Sequence, residues 1–252
     1  MPGDDRPTRG VRAVVLATAL GGTLAGCSTG PQPPGTASAS QGAMTCVNRV
    51  TPDCGAYTYA SPRPGTVVVT APRSSAVNNR EFFWSPSTPV GADQTVCATF
   101  VDGRDLDQQG VVLRLNTLAD GKVSGLTVTR NVWMGAFDVF NFHVWDTRAG
   151  ADSAFLEFGY TVVPTLPVAP AVYPLHLCAR TVTSSDVVQF VVWTTGRTRP
   201  DWGSSTQGGQ ATIPFGAPAT GRAGWFAGHL QPGTSMTYSD LTVDGVVPRD
   251  LP

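Results

Sequence analysis

Nine residues in the sequence combine aromatic rings with hydrogen-bonding groups, and each alternates with apolar residues along an extended segment. They are Arg114, Asn131, Trp133, Asn141, His143, Trp145, Arg180, Gln189 and Trp193. A flat aromatic ring covers the apolar face of a sugar, while amides, arginine and histidine bond its hydroxyl groups. If the segments share one sheet, these residues form a surface suited to a carbohydrate.

A second interpretation assigns the same tryptophans to packing. Residues 61–92 and 195–222 are long enough to cover the face that carries them, and the rings would then extend the core. The Gly-rich stretch within 195–222 also carries Trp202, which either binds a ligand or closes one edge of the fold.

Other chemistries find less support in the residue pattern. Glu81 and Glu157 are the only glutamates, and glycoside hydrolysis requires a pair of carboxylates at close range. Glu157 would contribute only if a distant aspartate met it in space. No serine lies in a G-x-S-x-G turn, so an acyl-transfer nucleophile is not indicated. The pattern favours binding over catalysis.

Metal binding is not indicated either. His143 and Asp146 are three residues apart, which places them on opposite faces of a strand. The stretch "VDGRDLDQQG" supplies Asp102, Asp105 and Asp107, but it lacks the spacing and the final glutamate of a calcium loop. We therefore expect no metal or other cofactor, with calcium at this stretch as the alternative.

Short extended segments separated by turn residues dominate the chain after about residue 80. In "VFNFHVW", Phe140, Phe142 and Val144 alternate with polar and aromatic residues, and "VVQFVVW" repeats the pattern. "GVVLRLNT" and "LTVTRNVW" follow it too, with Val111, Leu113 and Leu115 on the apolar face of the first. One apolar face per strand predicts an antiparallel β-sandwich.

The cysteines fit this register. The sequence contains five, and setting Cys27 aside leaves Cys46, Cys54, Cys97 and Cys178 for two disulfides. Three pairings are possible; a local Cys46–Cys54 loop is the simplest and leaves Cys97 with Cys178. Both of the latter lie opposite the apolar face of their strands, as a bridge between neighbouring strands requires.

The N-terminus has the layout of an export signal. Three arginines precede a short apolar stretch that ends in small residues. Leu24, Ala25, Gly26 and Cys27 resemble the bacterial lipobox, which implies cleavage before Cys27 and acylation of its sulfur. Residues 28–45 are rich in Pro, Gly, Ser and Ala, the composition of a flexible linker. We expect a lipid anchor in the cell membrane at its extracytoplasmic face.

The closing segment "GWFAGHLQPGTSMTYSDLTVDG", residues 224–245, resembles the last strands of concanavalin A-like lectin/glucanase domains of the laminin-G type. With "VCATFV", "GVVLRL" and "LCARTVTSSDVVQFVVW", the resemblance covers about residues 80–247. It implies a jelly-roll sandwich, and the chain also resembles uncharacterised actinobacterial lipoproteins that carry such a domain. The glucanases of this superfamily use a Glu-x-Asp-x-x-Glu strand, which this sequence lacks.

We therefore predict a signal peptide at 1–26, an acylated Cys27 and linker at 27–45, a disulfide-closed segment at 46–79 and a β-sandwich at 80–252. The net charge of −1 and the absence of a basic run argue against nucleic acid as a partner. The expected function is noncatalytic binding of a cell-envelope glycan. A glycoside hydrolase or lyase of the same superfamily, and a structural or protein-interaction module, are the alternatives.

Overall fold

A computed structural model describes residues 45–48, 57–75, 79–104, 107–117, 122–131, 138–149, 155–166 and 172–251, with the backbone alone for 45–48. Cys27, Cys54, Trp133 and the side chain of Cys46 lie outside the described residues. The predicted signal peptide, most of the linker and the Cys46–Cys54 bridge therefore stay predictions.

The described chain folds into fourteen strands and two short 3-10 turns. The strands are β1 (Thr45–Asn48), β2 (Thr58–Arg63), β3 (Thr66–Thr70), β4 (Asn79–Phe83), β5 (Thr95–Phe100), β6 (Gln108–Thr117), β7 (Val123–Asn131), β8 (Asp138–Asp146), β9 (Phe155–Val163), β10 (Leu175–Val182), β11 (Val187–Thr194), β12 (Gly208–Thr212), β13 (Arg222–Gly228) and β14 (Ser235–Val243). The described residues include no helix that is long and apolar enough to cross a membrane.

The strands form two antiparallel sheets of seven. Sheet I has the order β1-β4-β13-β6-β7-β8-β9, and sheet II has the order β12-β11-β10-β5-β14-β3-β2. The apolar faces of the two sheets meet in one large core, which includes Phe100, Phe142 and Phe190. The antiparallel β-sandwich predicted from the alternation is confirmed.

The predicted register holds in the strands that carry Cys97 and Cys178. Val96, Ala98 and Phe100 of β5 and Leu175, Leu177 and Ala179 of β10 all point into the core. Cys97 and Cys178 lie directly opposite each other between these strands, with Cα atoms 4.1 Å apart, and they form a disulfide. The bridge joins positions 81 residues apart on the face of sheet II that points away from the core.

The alternation fails in β6, where the pairing with β7 shifts between Leu113 and Asn116. Arg114 has a positive φ of 50° at this bulge. An extra residue in one strand reverses the faces of the residues that follow it. As a result, Leu115 packs with Val112 on the outer face of sheet I rather than in the main core.

The sandwich also includes strands that precede the predicted boundary at residue 80. β1 pairs with β4 in sheet I, and β2 and β3 form one edge of sheet II. The run "TVVVT" of β3 places Val67 and Val69 in the core. A turn at Gly65, with a φ of 70°, joins β2 to β3.

Glu81 of β4 links the two sheets through a buried carboxylate. It is 1% exposed and accepts hydrogen bonds from the Tyr57 backbone N–H (2.8 Å) and the Tyr59 hydroxyl (2.7 Å). Burial raises the pKa of Glu81 from its usual 4.5 to about 7, although both hydrogen bonds act in the opposite direction. The native protein therefore binds a proton here that the unfolded chain releases above about pH 5.

Replacing Glu81 with Gln tests this protonation. The raised pKa means that Glu81 stabilises the fold below its unfolded pKa and loses that contribution as the pH rises through about 7. Gln stays neutral and can still accept from Tyr57 and donate to Tyr59. Between pH 4.5 and about pH 7, the wild type should lose about 3 kcal/mol of unfolding free energy relative to the variant. Urea denaturation of both proteins at about pH 4 and about pH 8, on either side of the two pKa values, measures the change. An equal difference at both pH values would contradict a neutral buried Glu81.

Candidate functional site

Contacts between distant strands show that sheet I is curved. β4 and β8 are separated by β13, β6 and β7, and strands lie about 4.8 Å apart, so a flat sheet would separate them by about 19 Å. The Phe82 ring on β4 and the Trp145 ring on β8 nevertheless have centroids 5.5 Å apart. The Arg80 guanidinium on β4 lies 5.4 Å from the centroid of Phe155 on β9. The outer face of sheet I is therefore concave.

An aromatic cluster fills the centre of this concave face. Trp145 is 2% exposed and contacts the rings of Phe82, Phe226 and Phe155. Its indole N–H donates to Thr127 Oγ1 at 2.9 Å. Val112, Leu115, Val123 and Trp84 complete the cluster. The structure thus assigns Trp145 to packing, the second interpretation that the sequence allowed.

A polar trio lies beside this cluster, where β8 meets the edge strand β9. Asn141 and His143 of β8 are each 5% exposed, and the side chain of Glu157 of β9 is 44% exposed. Asn141 Nδ2 donates to Glu157 Oε2 at 2.6 Å, and His143 Nε2 lies 3.7 Å from the same oxygen. Within the part of the chain that the structure describes, Glu157 contacts Asn141 and His143 but no second carboxylate. Its contacts therefore do not support a role as half of a hydrolytic pair.

The trio contains two buried polar atoms without partners. Asn141 Oδ1 and His143 Nδ1 are inaccessible to solvent and accept no hydrogen bond from the described residues. Burial lowers the pKa of His143 from 6.5 to about 4, with a smaller contribution from the Arg80 charge. The imidazole is therefore neutral near pH 7, and the tautomer that places its proton on Nε2, facing Glu157, leaves Nδ1 as an acceptor.

Tyr160 of β9 adds an exposed ring next to the trio. It pairs with Asn141 across β8 and β9, which places both side chains on the concave face, and it is 59% exposed. The rim of the concave face therefore presents an aromatic surface and a carboxylate, and the same two strands hold two buried, unsatisfied acceptors.

The remaining predicted residues lie elsewhere. Arg180, Gln189 and Trp193 belong to β10 and β11 of sheet II, so their outer face and the concave face lie on opposite sides of the sandwich. The nine residues thus do not form one surface, because the strands that carry them are divided between two sheets. Asn131 is half-buried at the end of β7, and Trp133 lies outside the described residues.

Arg114 belongs to neither surface. It is 4% exposed, and its guanidinium donates to the carbonyls of Ala92 (2.9 Å) and Pro218 (3.2 Å). These contacts tie together two loops at one end of the sandwich. The bulge in β6 explains the change, because it removes Arg114 from the regular alternation.

The outer face of sheet II is partly covered by the loop that contains Trp202. The Trp202 ring lies 4.4 Å from the Arg180 guanidinium and 4.8 Å from that of Arg199. Arg180 Nε donates to Gln189 Oε1 at 2.8 Å. Trp193 stacks on His176, with ring centroids 5.1 Å apart. The described polar groups of this face are largely occupied by one another.

The aspartates considered for calcium have structural roles where they are described. Asp102 accepts hydrogen bonds from the backbone N–H and hydroxyl of Thr237, and Asp107 accepts one from the Arg104 N–H. Asp105 lies outside the described residues. Among the residues that the structure covers, no three His, Cys, Asp or Glu side chains are grouped as a metal site would require.

Comparison with solved structures shows what fold this is. A Bacillus subtilis protein of unknown function with a galectin-like fold matches with a TM-score of 0.50 and 12% identity, over 82% of this chain and 90% of that one. The carbohydrate-binding module CBM66 from Bacillus subtilis matches with a TM-score of 0.45 and 12% identity, over 76% of this chain and 93% of that one. A legume lectin-like domain from Entamoeba histolytica matches with a TM-score of 0.43 and 9% identity, over 75% of this chain and 90% of that one.

The fold is a β-sandwich similar to the galectin-like fold of that Bacillus subtilis protein. This agrees with the concanavalin A-like architecture that the closing strands implied. No protein-family model and no curated protein matches the sequence. The low identities of the structural matches show the fold alone, so the function has to be argued from the residues of this chain.

Two residues of the concave rim escaped the sequence-based selection as binding groups. The sequence pattern presents Glu157 only as a candidate hydrolytic carboxylate, and it does not single out Tyr160. The pairing of β8 with β9 shifts between Phe142 and His143, so simple alternation along "FLEFGYTVV" does not show that Glu157 and Tyr160 share a face.

Trp145 and Trp193 should respond differently to alanine substitution. Trp145→Ala removes the centre of the concave aromatic cluster and leaves Thr127 Oγ1 without its donor, so it should reduce the free energy of unfolding by about 3–5 kcal/mol. Trp193→Ala, at a half-buried position, should cost less than half as much. Chemical denaturation monitored by circular dichroism measures both. Equal costs would contradict the assignment of Trp145 to packing.

Proposed function

We propose that this protein is a lipid-anchored extracytoplasmic protein that binds a neutral carbohydrate, without cleaving it, at the rim of its concave face. The observation that carries the proposal is the exposed Glu157 carboxylate and Tyr160 ring, which lie next to the buried, unpartnered acceptors of Asn141 and His143. A buried polar atom without a partner costs about 1–3 kcal/mol. A polar ligand that displaces the Glu157 side chain and reaches these atoms removes that cost.

Sugar hydroxyl groups suit these atoms. Asn141 Oδ1 and His143 Nδ1 both need donors, and sugar hydroxyl groups supply them when a bound ligand moves the exposed Glu157 side chain aside. Glu157, the exposed member of the trio, offers a third acceptor at the entrance. The Tyr160 ring can cover an apolar sugar face. A carboxylate at the entrance favours hydroxyl donors and disfavours acidic sugars, which supports a neutral ligand.

Glu157→Ala and Leu156→Ala form a matched pair that tests the site. The two residues are adjacent on β9 but face opposite sides, because Glu157 pairs with His143 and Leu156 pairs with Val144. Leu156 is 62% exposed, so both substitutions should preserve the fold. Glu157→Ala should weaken carbohydrate binding about tenfold or more, and Leu156→Ala should leave it unchanged.

Affinity electrophoresis through gels that contain β-glucan, α-glucan, galactomannan or arabinogalactan, followed by calorimetry on any hit, measures this binding. Lack of retardation of the wild type by every polysaccharide would refute the carbohydrate proposal. Wild-type affinity in Glu157→Ala would refute the site. New reducing ends in the incubated polysaccharides would indicate a hydrolase instead of a binding protein.

The anchor rests on the N-terminal sequence. The lipobox-like Leu24–Cys27 and the linker support acylation and export. The Cys97–Cys178 disulfide supports an oxidising, extracytoplasmic location.

Cys27→Ala should abolish incorporation of labelled palmitate when the full chain is expressed in a bacterial host that processes lipoproteins. The lipobox then has no thiol to carry lipid, so the label should be lost even though the uncleaved signal peptide keeps the chain in the membrane fraction. Ser28→Ala, at the next residue, is the control and should remain labelled and membrane-bound. Palmitate incorporation that persists in Cys27→Ala would contradict the proposed anchor.

A further inference from the structure

Large apolar side chains are exposed at one end of the sandwich. Of the seven that are exposed among the described residues, four lie on the connection between β4 and β5, the connection between β12 and β13, and the segment after β14. These four are Val90, Phe215, Val246 and Val247. Phe215 is fully exposed, and Val90 and Val246 are 60% and 66% exposed. Exposed apolar groups gathered in one region mark an interaction surface.

The three segments adjoin one another. Gly91 and Gly221 form a bridge with reciprocal backbone hydrogen bonds of 2.8 and 3.0 Å, which joins the first connection to the second. Thr88 and Pro89 line a shallow pocket together with Val246 and Val247, which joins the first connection to the third. We call this surface, formed by residues 84–94, 213–221 and 244–251, the Phe215 end.

The turn that carries Phe215 is held in place at both sides. The Ala217 N–H donates to the Pro214 carbonyl at 3.2 Å, and Gly216 has a φ of 86°, which fits the third position of a type II turn. Ile213 N–H donates to the Asp186 carbonyl at 2.7 Å, and Arg114 donates to the Pro218 carbonyl. The ring of Phe215, at the second position of this turn, therefore projects into solvent from a fixed loop.

The first described strand begins at the same end. β1 pairs with β4 so that Thr45 lies opposite Phe82 and Asn48 lies opposite Asn79. β4 runs towards the Phe215 end, because Phe83 leads directly into residues 84–94. Thr45 is 18 positions after Cys27, a distance that a flexible linker spans with an average of about 24 Å. A lipid on Cys27 would hold this end of the sandwich near the bilayer.

We propose that the Phe215 end docks on the lipid bilayer, with the Phe215 ring inserted into the interfacial region. The proposal rests on the lipid anchor proposed above, which brings this end to the membrane. Charge does not drive the contact, because Arg249 is the one basic residue among residues 84–94, 213–221 and 244–251, and it is outnumbered by exposed Asp93, Asp244 and Asp250. Apolar insertion predicts binding that salt does not weaken, unlike the binding of basic surfaces to anionic lipid. Docking in this orientation keeps the concave rim at the side of the sandwich free for a glycan.

Sedimentation with vesicles tests the surface separately from the anchor. The probe is a vesicle of phosphatidylethanolamine and phosphatidylglycerol. The protein is the predicted mature chain, residues 27–252 with Cys27→Ser, which carries neither the apolar signal peptide nor a lipid. At millimolar lipid this protein should bind in low and high salt, and it should bind phosphatidylcholine vesicles as well. Val90→Ser combined with Phe215→Ser should weaken the binding about tenfold.

The control is Val162→Ser, which changes an exposed residue on β9 that is 40% exposed and lies outside the Phe215 end. It should bind vesicles as the parent does. Lack of vesicle binding by the parent, or unchanged binding by the double variant, would overturn the proposal. A dimer in lipid-free solution that the double variant abolishes would also overturn it, because the surface would then serve self-association. Palmitate labelling is measured on the full chain that keeps Cys27, and polysaccharide retardation is measured on the vesicle-test variants, so failure of the anchor or of the glycan site is seen independently.

Discussion

The curvature of sheet I is the constraint on which the rest of the structure depends. Contact between Phe82 and Trp145, across four strand spacings, requires the sheet to bend around its own outer side chains. Small residues lie beneath the aromatic rings: Gly125 is directly opposite Trp145, and a Cβ at Gly125 would lie 3.2 Å from Val112 Cγ2. Glycine within a strand allows such a close approach of rings and backbone. Bending therefore creates a second, smaller hydrophobic cluster outside the main core.

This second cluster explains which parts of the site could be predicted from the sequence. Alternation assigns a residue to a face of its strand, and for β5, β10, β8 and β11 the assigned faces agree with the structure, including the faces of Cys97 and Cys178. Alternation does not report whether that face is open. Trp145 lies on the predicted side of β8, yet curvature buries it, and a pattern of period two carries no information about the curvature of a sheet.

Irregular pairing accounts for the other differences. A bulge moves Arg114 out of the alternation in β6, and a shift in the pairing of β8 with β9 brings Glu157 and Tyr160 onto the face of Asn141. Bulges depend on local backbone strain and on the contacts of neighbouring strands, so neither is visible in one segment read alone. The division of the nine residues between two sheets likewise depends on strand order, which the alternation of single segments does not encode.

The aromatic cluster of the concave face stabilises the fold, whereas the polar trio beside it contains unpaired atoms that destabilise it. Trp145, Phe82 and Phe226 stabilise the curved sheet by excluding water, while Asn141 Oδ1 and His143 Nδ1 are left unpaired in the space beside them. Each unpaired atom destabilises the free protein by about 1–3 kcal/mol. Because the trio lies at the edge strand and not at the centre of the sheet, a ligand that moves the exposed Glu157 side chain aside would reach these atoms without displacing the aromatic rings. Part of its binding energy would then come from removing a cost that the folded protein already carries, and this favours a ligand with hydroxyl groups over one that offers only an apolar surface.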